Sequence, residues 1–244
     1  MASILRKPPL LFPATARHTA TVIFIHGLGD TGHGWADAVE NWRRRQRLDE
    51  VKFVLPHAPP IAITAYWGMK MPGWYDIAVV DGSAESLRRS EDEAGIVLSE
   101  AYVHGLIQHE IDAGIPADRI VLGGFSQGGA MSLFAGLTAM ARLAGIVALS
   151  SYLPLSLRFA ELLPKPQFNE QTPVLMAHGD ADQVVNFQLG KTSFEYLEER
   201  GYNVSLKVYP GMGHSACLEE LNNVEAFLRE RLPEVDKKDG KPEL

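Results

Sequence analysis

Cysteine is almost absent from this chain of 244 residues, in which Cys217 is the only one. A single cysteine cannot form a disulfide within the chain, so a disulfide-stabilised secreted domain is excluded and a reducing compartment is expected. Long apolar runs are also missing, since no stretch approaches the about 18 apolar residues that a membrane-spanning helix requires. Residues 1–18 carry prolines where a signal peptide needs a continuous apolar helix. With Ala2 in second position and no cysteine near either end, we expect no lipid anchor.

Basic residues are too few to suggest a nucleic-acid partner. The formal net charge is −7, and the sequence has no basic stripe with interleaved aromatic residues, so nucleic-acid binding is not expected. One local basic cluster comprises Arg43, Arg44, Arg45 and Arg47. We interpret this cluster as the solvated face of a helix, with contact to an anionic membrane surface as the alternative.

What the chain does have is an alternation of strand and helix patterns. Short β-branched and aromatic runs predict buried strands, and Ser90–Glu93 forms a capping box that predicts the start of a long helix. The predicted strands cover 21–25, 51–55, 120–123, 145–149, 173–177 and 204–209, and the predicted helices cover 34–47, 90–113, 128–143, 187–200 and 217–231. This alternation indicates an α/β fold with a mostly parallel central sheet and helices on both faces.

Neither a repeat nor a linker divides the sequence. We therefore expect a single domain over residues 21–232, preceded by an N-terminal segment, 1–20, and followed by a polar tail, 233–244. Residues 56–88 form a long irregular stretch rich in proline, glycine and aromatic residues, and so long a loop in a compact domain is usually functional. Residues 150–172 are too few for a large helical cap, so a site at the sheet edge is expected to be open.

Ser126 lies at the centre of Gly124–Gly128, which has the G-x-S-x-G pattern of a nucleophile elbow. The pattern follows a predicted strand and precedes a predicted helix. Glycines relieve the clashes of so sharp a turn, and the helix N-terminus offers free N–H groups. An ordinary glycine turn is the alternative. In the functional interpretation Ser126 is a nucleophile, and the backbone N–H of Gln127 stabilises an oxyanion.

A serine nucleophile needs a base, for which histidine is the usual residue. Among the eight histidines, His214 follows the last predicted strand in a glycine-rich loop, where the chain order Ser…Asp…His expects the base. Asp180 and Asp182 both follow the fifth strand; the longer reach favours Asp182, whereas Asp180 could instead tie down the turn. The second oxyanion donor is expected from Leu28 or Gly29, in the loop after the first strand. Other histidines at strand ends are interpreted as residues that orient loops: His26, His57 and His178.

Together these motifs resemble those of the cytosolic acyl-protein thioesterases, which are also described as lysophospholipase-like carboxylesterases of the α/β-hydrolase fold. The resemblance runs from about Thr21 to Leu232 and rests on FIHGLGDTGHGWA, LPHAPP, MPGWYDI, GGFSQGGAMSL, HGDADQVV and YPGMGHS. In two positions the sequence departs from the family pattern. Gln183 stands where proline is usual, and Ala2 offers no near-terminal cysteine of the kind that several members carry.

The resemblance implies a reaction, and it implies a role in that reaction for each matching residue. It implies Ser126 as nucleophile, Asp182 as orienting acid and His214 as base, with oxyanion donors from the backbone of Leu28 and Gln127. The implied reaction is hydrolysis of fatty-acyl thioesters on protein cysteines, with S-acylated proteins as partners and no metal or organic cofactor. A cytoplasmic location, with the nucleus as a second compartment, is also expected, and exposed apolar residues of the lid could mediate either a transient membrane contact or dimerisation. The oligomeric state stays open.

An acyl chain needs an apolar channel beside the nucleophile. The loop around residues 67–77 is expected to act as a partial lid, and Leu28 is one lining candidate. Further candidates for the channel or lid are Trp74, Ile77, Leu153, Val184 and Phe187. The alternative is that these side chains only pack loops onto the sheet. Rival functions are a lysophospholipase or general carboxylesterase and, from another class, a non-catalytic hydrolase fold that binds a ligand.

Overall fold

A computed structural model describes residues 6–79 and 91–235 of the chain. The strands are β1 (Leu10–Phe12), β2 (Ala20–Ile25), β3 (Val51–Leu55), β4 (Pro60–Ile63), β5 (Met69–Pro72), β6 (Ile120–Phe125), β7 (Gly145–Leu149), β8 (Val174–Gly179) and β9 (Val204–Tyr209). The helices are α1 (Ala36–Arg44), α2 (Glu93–Asp112), α3 (Gln127–Leu137), α4 (Phe159–Leu162), α5 (Phe187–Glu198) and α6 (Leu218–Arg231). Short 3₁₀ turns cover Gly32–Trp35, Thr64–Tyr66 and Ala117–Arg119.

Seven strands form the central sheet in the order β1-β3-β2-β6-β7-β8-β9. Only β1 is antiparallel to its neighbour; every other adjacent pair in this sheet is parallel. The prediction of a mostly parallel sheet is therefore confirmed. Because parallel strands point their carboxyl ends to one edge, the loops that follow β2, β6, β8 and β9 lie along the same rim.

Helices cover both faces of the sheet, as predicted. Along β2, Val22 and Phe24 pack into one hydrophobic cluster, whereas Ile23 and Ile25 pack into the other, because successive side chains of a strand point to opposite faces. The first cluster takes apolar residues of α1 and α6, and the second takes apolar residues of α2, α3 and α5. A strand buried on both faces reads as a continuous apolar run, which is why the central strands could be recognised.

Several element boundaries differ from the prediction for local reasons. Helix α2 begins at Glu93, and Asp92 caps it by accepting a hydrogen bond from Gly95 N at 2.9 Å; the predicted cap Ser90 lies outside the described residues. Helix α3 ends at Leu137 instead of 143. The Asn169 Nδ2 donates to the carbonyls of Ala139 and Ala141, both at 3.0 Å, which stabilises this segment outside a helix.

The stretch predicted to be irregular, 56–88, contains a β-hairpin. Strands β4 and β5 pair antiparallel, with Ile63 opposite Met69, and the turn between them places Trp67 at φ 53° and Gly68 at φ 76°. Strand β1 was also not predicted. Residues 150–173, all within the described part of the chain, contain only the short helix α4, so they form no large cap over the rim. Among the described residues, no helix combines the length and the apolar character needed to cross a bilayer.

Candidate active site

Ser126 lies in a strained turn between β6 and α3. Its φ of 55° and ψ of −122° are unfavourable for a residue with a side chain, and its N–H donates to Leu149 O at 2.8 Å, which ties the turn to β7. A Cβ on Gly124 would come within 2.7 Å of Ile25 O, and one on Gly128 within 2.5 Å of His26 O. Both flanking glycines are therefore required by close backbone packing, which supports the elbow interpretation over an ordinary turn.

The three side chains proposed as a triad are in direct contact. His214 Nε2 lies 2.9 Å from Ser126 Oγ, and His214 Nδ1 lies 2.7 Å from Asp182 Oδ2. Because Nδ1 faces a carboxylate, it carries the proton, which leaves Nε2 free to accept the serine proton. The Phe125 ring packs on the imidazole, with 4.8 Å between the ring centroids.

Asp182 is buried and held by four donors. Its Oδ1 accepts from the N–H groups of Val184 and Val185, both at 2.9 Å, and its Oδ2 faces His214 and, at 3.3 Å, His178 Nε2. Burial alone would raise the pKa of Asp182, but the hydrogen bonds from His178 and His214 outweigh it and hold the pKa well below its ordinary value. The carboxylate therefore stays ionised beside the imidazole. Asp180 instead accepts from Gly211 N at 2.7 Å and braces the loop that leads to His214.

Histidines at the strand ends orient loops, as the sequence indicated. His178 is buried, and its Nε2 N–H is shared between Val185 O, at 2.8 Å, and Asp182 Oδ2, at 3.3 Å. His26 Nδ1 donates to Gly27 O at 2.7 Å while its Nε2 accepts from Ala58 N at 3.1 Å, and burial lowers the pKa of His26. Both rings therefore support the rim through these hydrogen bonds. His57 Nδ1 accepts from Gly32 N at 3.0 Å.

Two backbone N–H groups near Ser126 are available to an oxyanion. Gln127 is the first residue of α3, where the N–H groups have no intrahelical carbonyl. In the loop after β2, the Gly29 N–H donates to Pro72 O at 2.8 Å and is therefore occupied. Within residues 6–79 and 91–235, no hydrogen bond engages the N–H of Leu28 or Gln127. Of the two candidates in this loop, Leu28 is the one that is free to donate.

An apolar cavity opens beside Ser126 and His214. Three of the predicted lining candidates, Leu28, Ile77 and Val184, border it. Sequence reasoning missed other lining residues, namely Tyr66, Val79, Tyr152 and Val185. Of these, Tyr152 lies three residues beyond the carboxyl end of β7, a position that could have indicated it.

Three predicted channel or lid residues do not border the cavity, and the expectation is corrected for them. Trp74 is buried in the core, where its Nε1 donates to His26 O at 2.8 Å. Leu153 is also a core residue. Phe187 packs edge-on against the ring of His178, at 5.8 Å between centroids. The part of the chain that the structure describes holds no cluster of three or more side chains suited to a metal ion.

Comparisons with known proteins agree with this arrangement. The profile of the phospholipase/carboxylesterase family matches residues 10–232. The acyl-protein thioesterase 1 of Neurospora crassa is 74% identical over the full length of both chains. That of Gibberella zeae is 62% identical over 93% of this chain and 97% of its own. The crystal structure of Zea mays acyl-protein thioesterase 2 covers 92% of this chain and 98% of its own, with 28% identity and a TM-score of 0.80. The chain therefore belongs to the phospholipase/carboxylesterase family of α/β-hydrolases, together with the fungal proteins named acyl-protein thioesterase 1.

Proposed function

We propose that this protein is a serine hydrolase that cleaves fatty-acyl thioesters, palmitoyl thioesters among them, from the cysteines of S-acylated proteins. The observation that carries the proposal is the continuous hydrogen-bonded path from Ser126 through His214 to Asp182. Support for the substrate class comes from the identity of 74% with the Neurospora crassa protein named acyl-protein thioesterase 1.

In the proposed reaction, His214 Nε2 removes the proton of Ser126 while the serine oxygen attacks the thioester carbonyl carbon. The backbone N–H groups of Leu28 and Gln127 stabilise the oxyanion of the tetrahedral intermediate. Collapse of this intermediate breaks the C–S bond, and the cysteine sulfur leaves with the proton from His214. The acyl group then remains as an ester on Ser126. A water molecule, deprotonated by His214, attacks this ester, releases the fatty acid and restores the serine.

The cavity beside Ser126 suits an acyl chain. Its apolar lining includes Leu28, Ile77, Val79 and Val184, and burial of each methylene of a lipid chain contributes about 0.8 kcal/mol. Because residues 150–173 form no large cap, the protein part of a substrate can stay outside while its lipid enters. This path uses only groups of the chain and water, so we propose no metal or organic cofactor.

Lysophospholipase or general carboxylesterase activity is the second candidate. The same nucleophile, base and oxyanion donors would act on oxygen esters, and the family to which the chain belongs takes its name from such activities. Rates of acyl release from a palmitoylated peptide and from a lysophospholipid, measured with the same enzyme preparation, distinguish the two. A strong preference for the lysophospholipid would overturn the thioesterase proposal.

Ser126→Ala is the control for both activities. It should abolish hydrolysis and labelling by a fluorophosphonate probe while the fold, followed by circular dichroism, is retained. If the unchanged chain neither hydrolyses esters nor reacts with the probe, the remote alternative, a non-catalytic hydrolase fold, gains support.

We also propose that the protein contacts a membrane surface. The hairpin turn presents Trp67, 94% exposed, and Met69, 62% exposed, beside Tyr66, which borders the cavity. Aromatic side chains at such positions partition into the interface of a bilayer. Trp67→Ala should therefore weaken co-sedimentation with lipid vesicles and leave hydrolysis of a short soluble ester unchanged. Equal sedimentation of both forms would refute the contact.

The proposed location is the cytoplasm, with the nucleus as a second compartment. It is supported by the near absence of cysteine, which suits a reducing environment. Imaging of a fluorescent fusion would test it, and accumulation in the secretory pathway would contradict it.

A further inference from the structure

One wall of the cavity is formed by the segment Trp74–Val79. Its alternate residues Tyr75, Ile77 and Val79 border the cavity. Between them, Trp74 is buried in the core, and Asp76 accepts a hydrogen bond from Thr64 N at 2.7 Å. The cavity face of the segment therefore depends on how its backbone is held.

The side chain of Gln127 holds that backbone at its first two residues. Its Oε1 accepts from Trp74 N at 2.8 Å, and its Nε2 donates to Tyr75 O at 2.7 Å. Gln127 is 3% exposed, so both hydrogen bonds are shielded from water. From the other side, the Ser99 hydroxyl donates to Trp74 O. The residue next to the nucleophile is thus bonded twice to the cavity wall.

We propose that the Gln127 side chain is a positioning residue that determines acyl-chain selectivity. Its side chain holds the wall segment in place, while the backbone N–H of the same residue faces the oxyanion. The inference rests on the proposed function, because it takes the cavity to hold the acyl chain. A long chain must lie along the wall, whereas an acetyl group leaves most of the wall uncovered. Loss of the amide should therefore affect long acyl substrates more than short ones.

Two substitutions at Gln127 separate the side chain from the backbone N–H. Gln127→Met keeps the length and leaves Trp74 N and Tyr75 O without their buried partners, at a cost that favours a shift of the segment. Gln127→Glu keeps an acceptor for Trp74 N but sets a carboxylate oxygen against Tyr75 O. Ser99→Ala is the matched variant. It removes one hydrogen bond to the same segment from helix α2, which carries none of the residues that contact Ser126.

The test is a chain-length series of p-nitrophenyl esters, acetate to laurate, with kcat and KM measured separately. For Gln127→Met we expect the laurate-to-acetate ratio of kcat/KM to fall about tenfold, equivalent to about 1.4 kcal/mol, mainly through a higher KM for laurate. Ser99→Ala should lower the ratio in the same direction by a smaller factor. Equal losses on both esters in the Gln127 variants, or an unchanged ratio, would overturn the proposal.

Folding is checked by thermal unfolding and fluorophosphonate labelling. If Gln127→Met does not fold, Gln127→Glu and Ser99→Ala decide the matter, since an unchanged ratio in both refutes the role. The ester series requires no acylated protein. If the unchanged enzyme does not hydrolyse palmitoylated peptides, the thioesterase proposal is refuted. The laurate-to-acetate ratio would still test whether Gln127 positions the cavity wall.

Discussion

Gly128→Ala provides a direct test of the packing at the nucleophile turn. A Cβ at this position would lie 2.5 Å from the carbonyl oxygen of His26 and closer still to the carbonyl of Ile25, where ordinary contact requires at least 3.4 Å. The obstructing atoms belong to the backbone at the end of a central strand and cannot rotate away. The start of helix α3 would therefore have to move by roughly an ångström.

This displacement has two calculable consequences. Overpacking of a well-packed core costs about 1–3 kcal/mol, so the free energy of unfolding should fall by at least that amount. The same movement shifts Ser126 and the N–H of Gln127 relative to His214, and a misplacement of about 1 Å in an active site can cost about 10²-fold in rate. Unfolding in urea, followed by circular dichroism, measures the first effect; kcat/KM on a short ester measures the second.

Gly105→Ala is the matched control for this substitution. Gly105 lies within helix α2, and a Cβ there would meet nothing within 4 Å. Since glycine is unfavourable in a helix by about 0.8–1.0 kcal/mol relative to alanine, this variant should be slightly more stable and fully active. A Gly128→Ala protein with unchanged stability and rate would refute the view that backbone contact dictates glycine at the turn.

Two further predictions concern charged groups. Asp182→Asn should lower kcat on esters about 10⁴-fold with the fold retained, because the amide cannot hold the tautomer of His214 that accepts the serine proton; a loss of less than tenfold would contradict the assigned role. Burial raises the pKa of Glu220 to about 7, with the backbone N–H of Cys217 offsetting part of the effect. The folded protein thus keeps a proton that the unfolded chain has lost above about pH 4.5, so this contribution to stability disappears as pH rises to about 7. Glu220→Gln should remove a dependence of up to about 3 kcal/mol, measured as the difference in unfolding free energy between pH 5 and pH 8, and an unaltered difference would count against it.

The strands of the sheet centre could be predicted because their residues are apolar on both faces. Val51–Leu55 and Gly145–Leu149 have the predicted bounds. The edge strand Val204–Tyr209 also has them, although only its last residue is buried and it carries polar residues at Ser205 and Lys207. The hairpin β4–β5 could not be predicted from its sequence. Its turn places Trp67, a bulky residue, at φ 53°, where glycine or asparagine would have signalled a turn.

In the candidate site, the order of the residues along the chain could be predicted, but some of their contacts in space could not. The positions of Ser126, Asp182 and His214 after successive strands could be predicted from the sequence, and the structure brings these three side chains into contact. The orientation of Trp74 could not be predicted, because an aromatic residue in a loop beside a site can point either into the site or into the core. Its indole N–H finds a buried carbonyl at His26, and that partner becomes visible only in the folded chain.

Ser126, Asp182 and His214 meet at one rim of the sheet, and the turns at the opposite rim take no part in that contact. Turns there, such as those at Gly114 and Gly201, have positive φ and open space around the glycine. A fluorophore, an affinity tag or an inserted domain could be attached at these turns. It would then lie at the opposite end of the strands from the reacting atoms. The architecture thus offers a side for tethering the protein to a surface with its lipid-handling side facing outward.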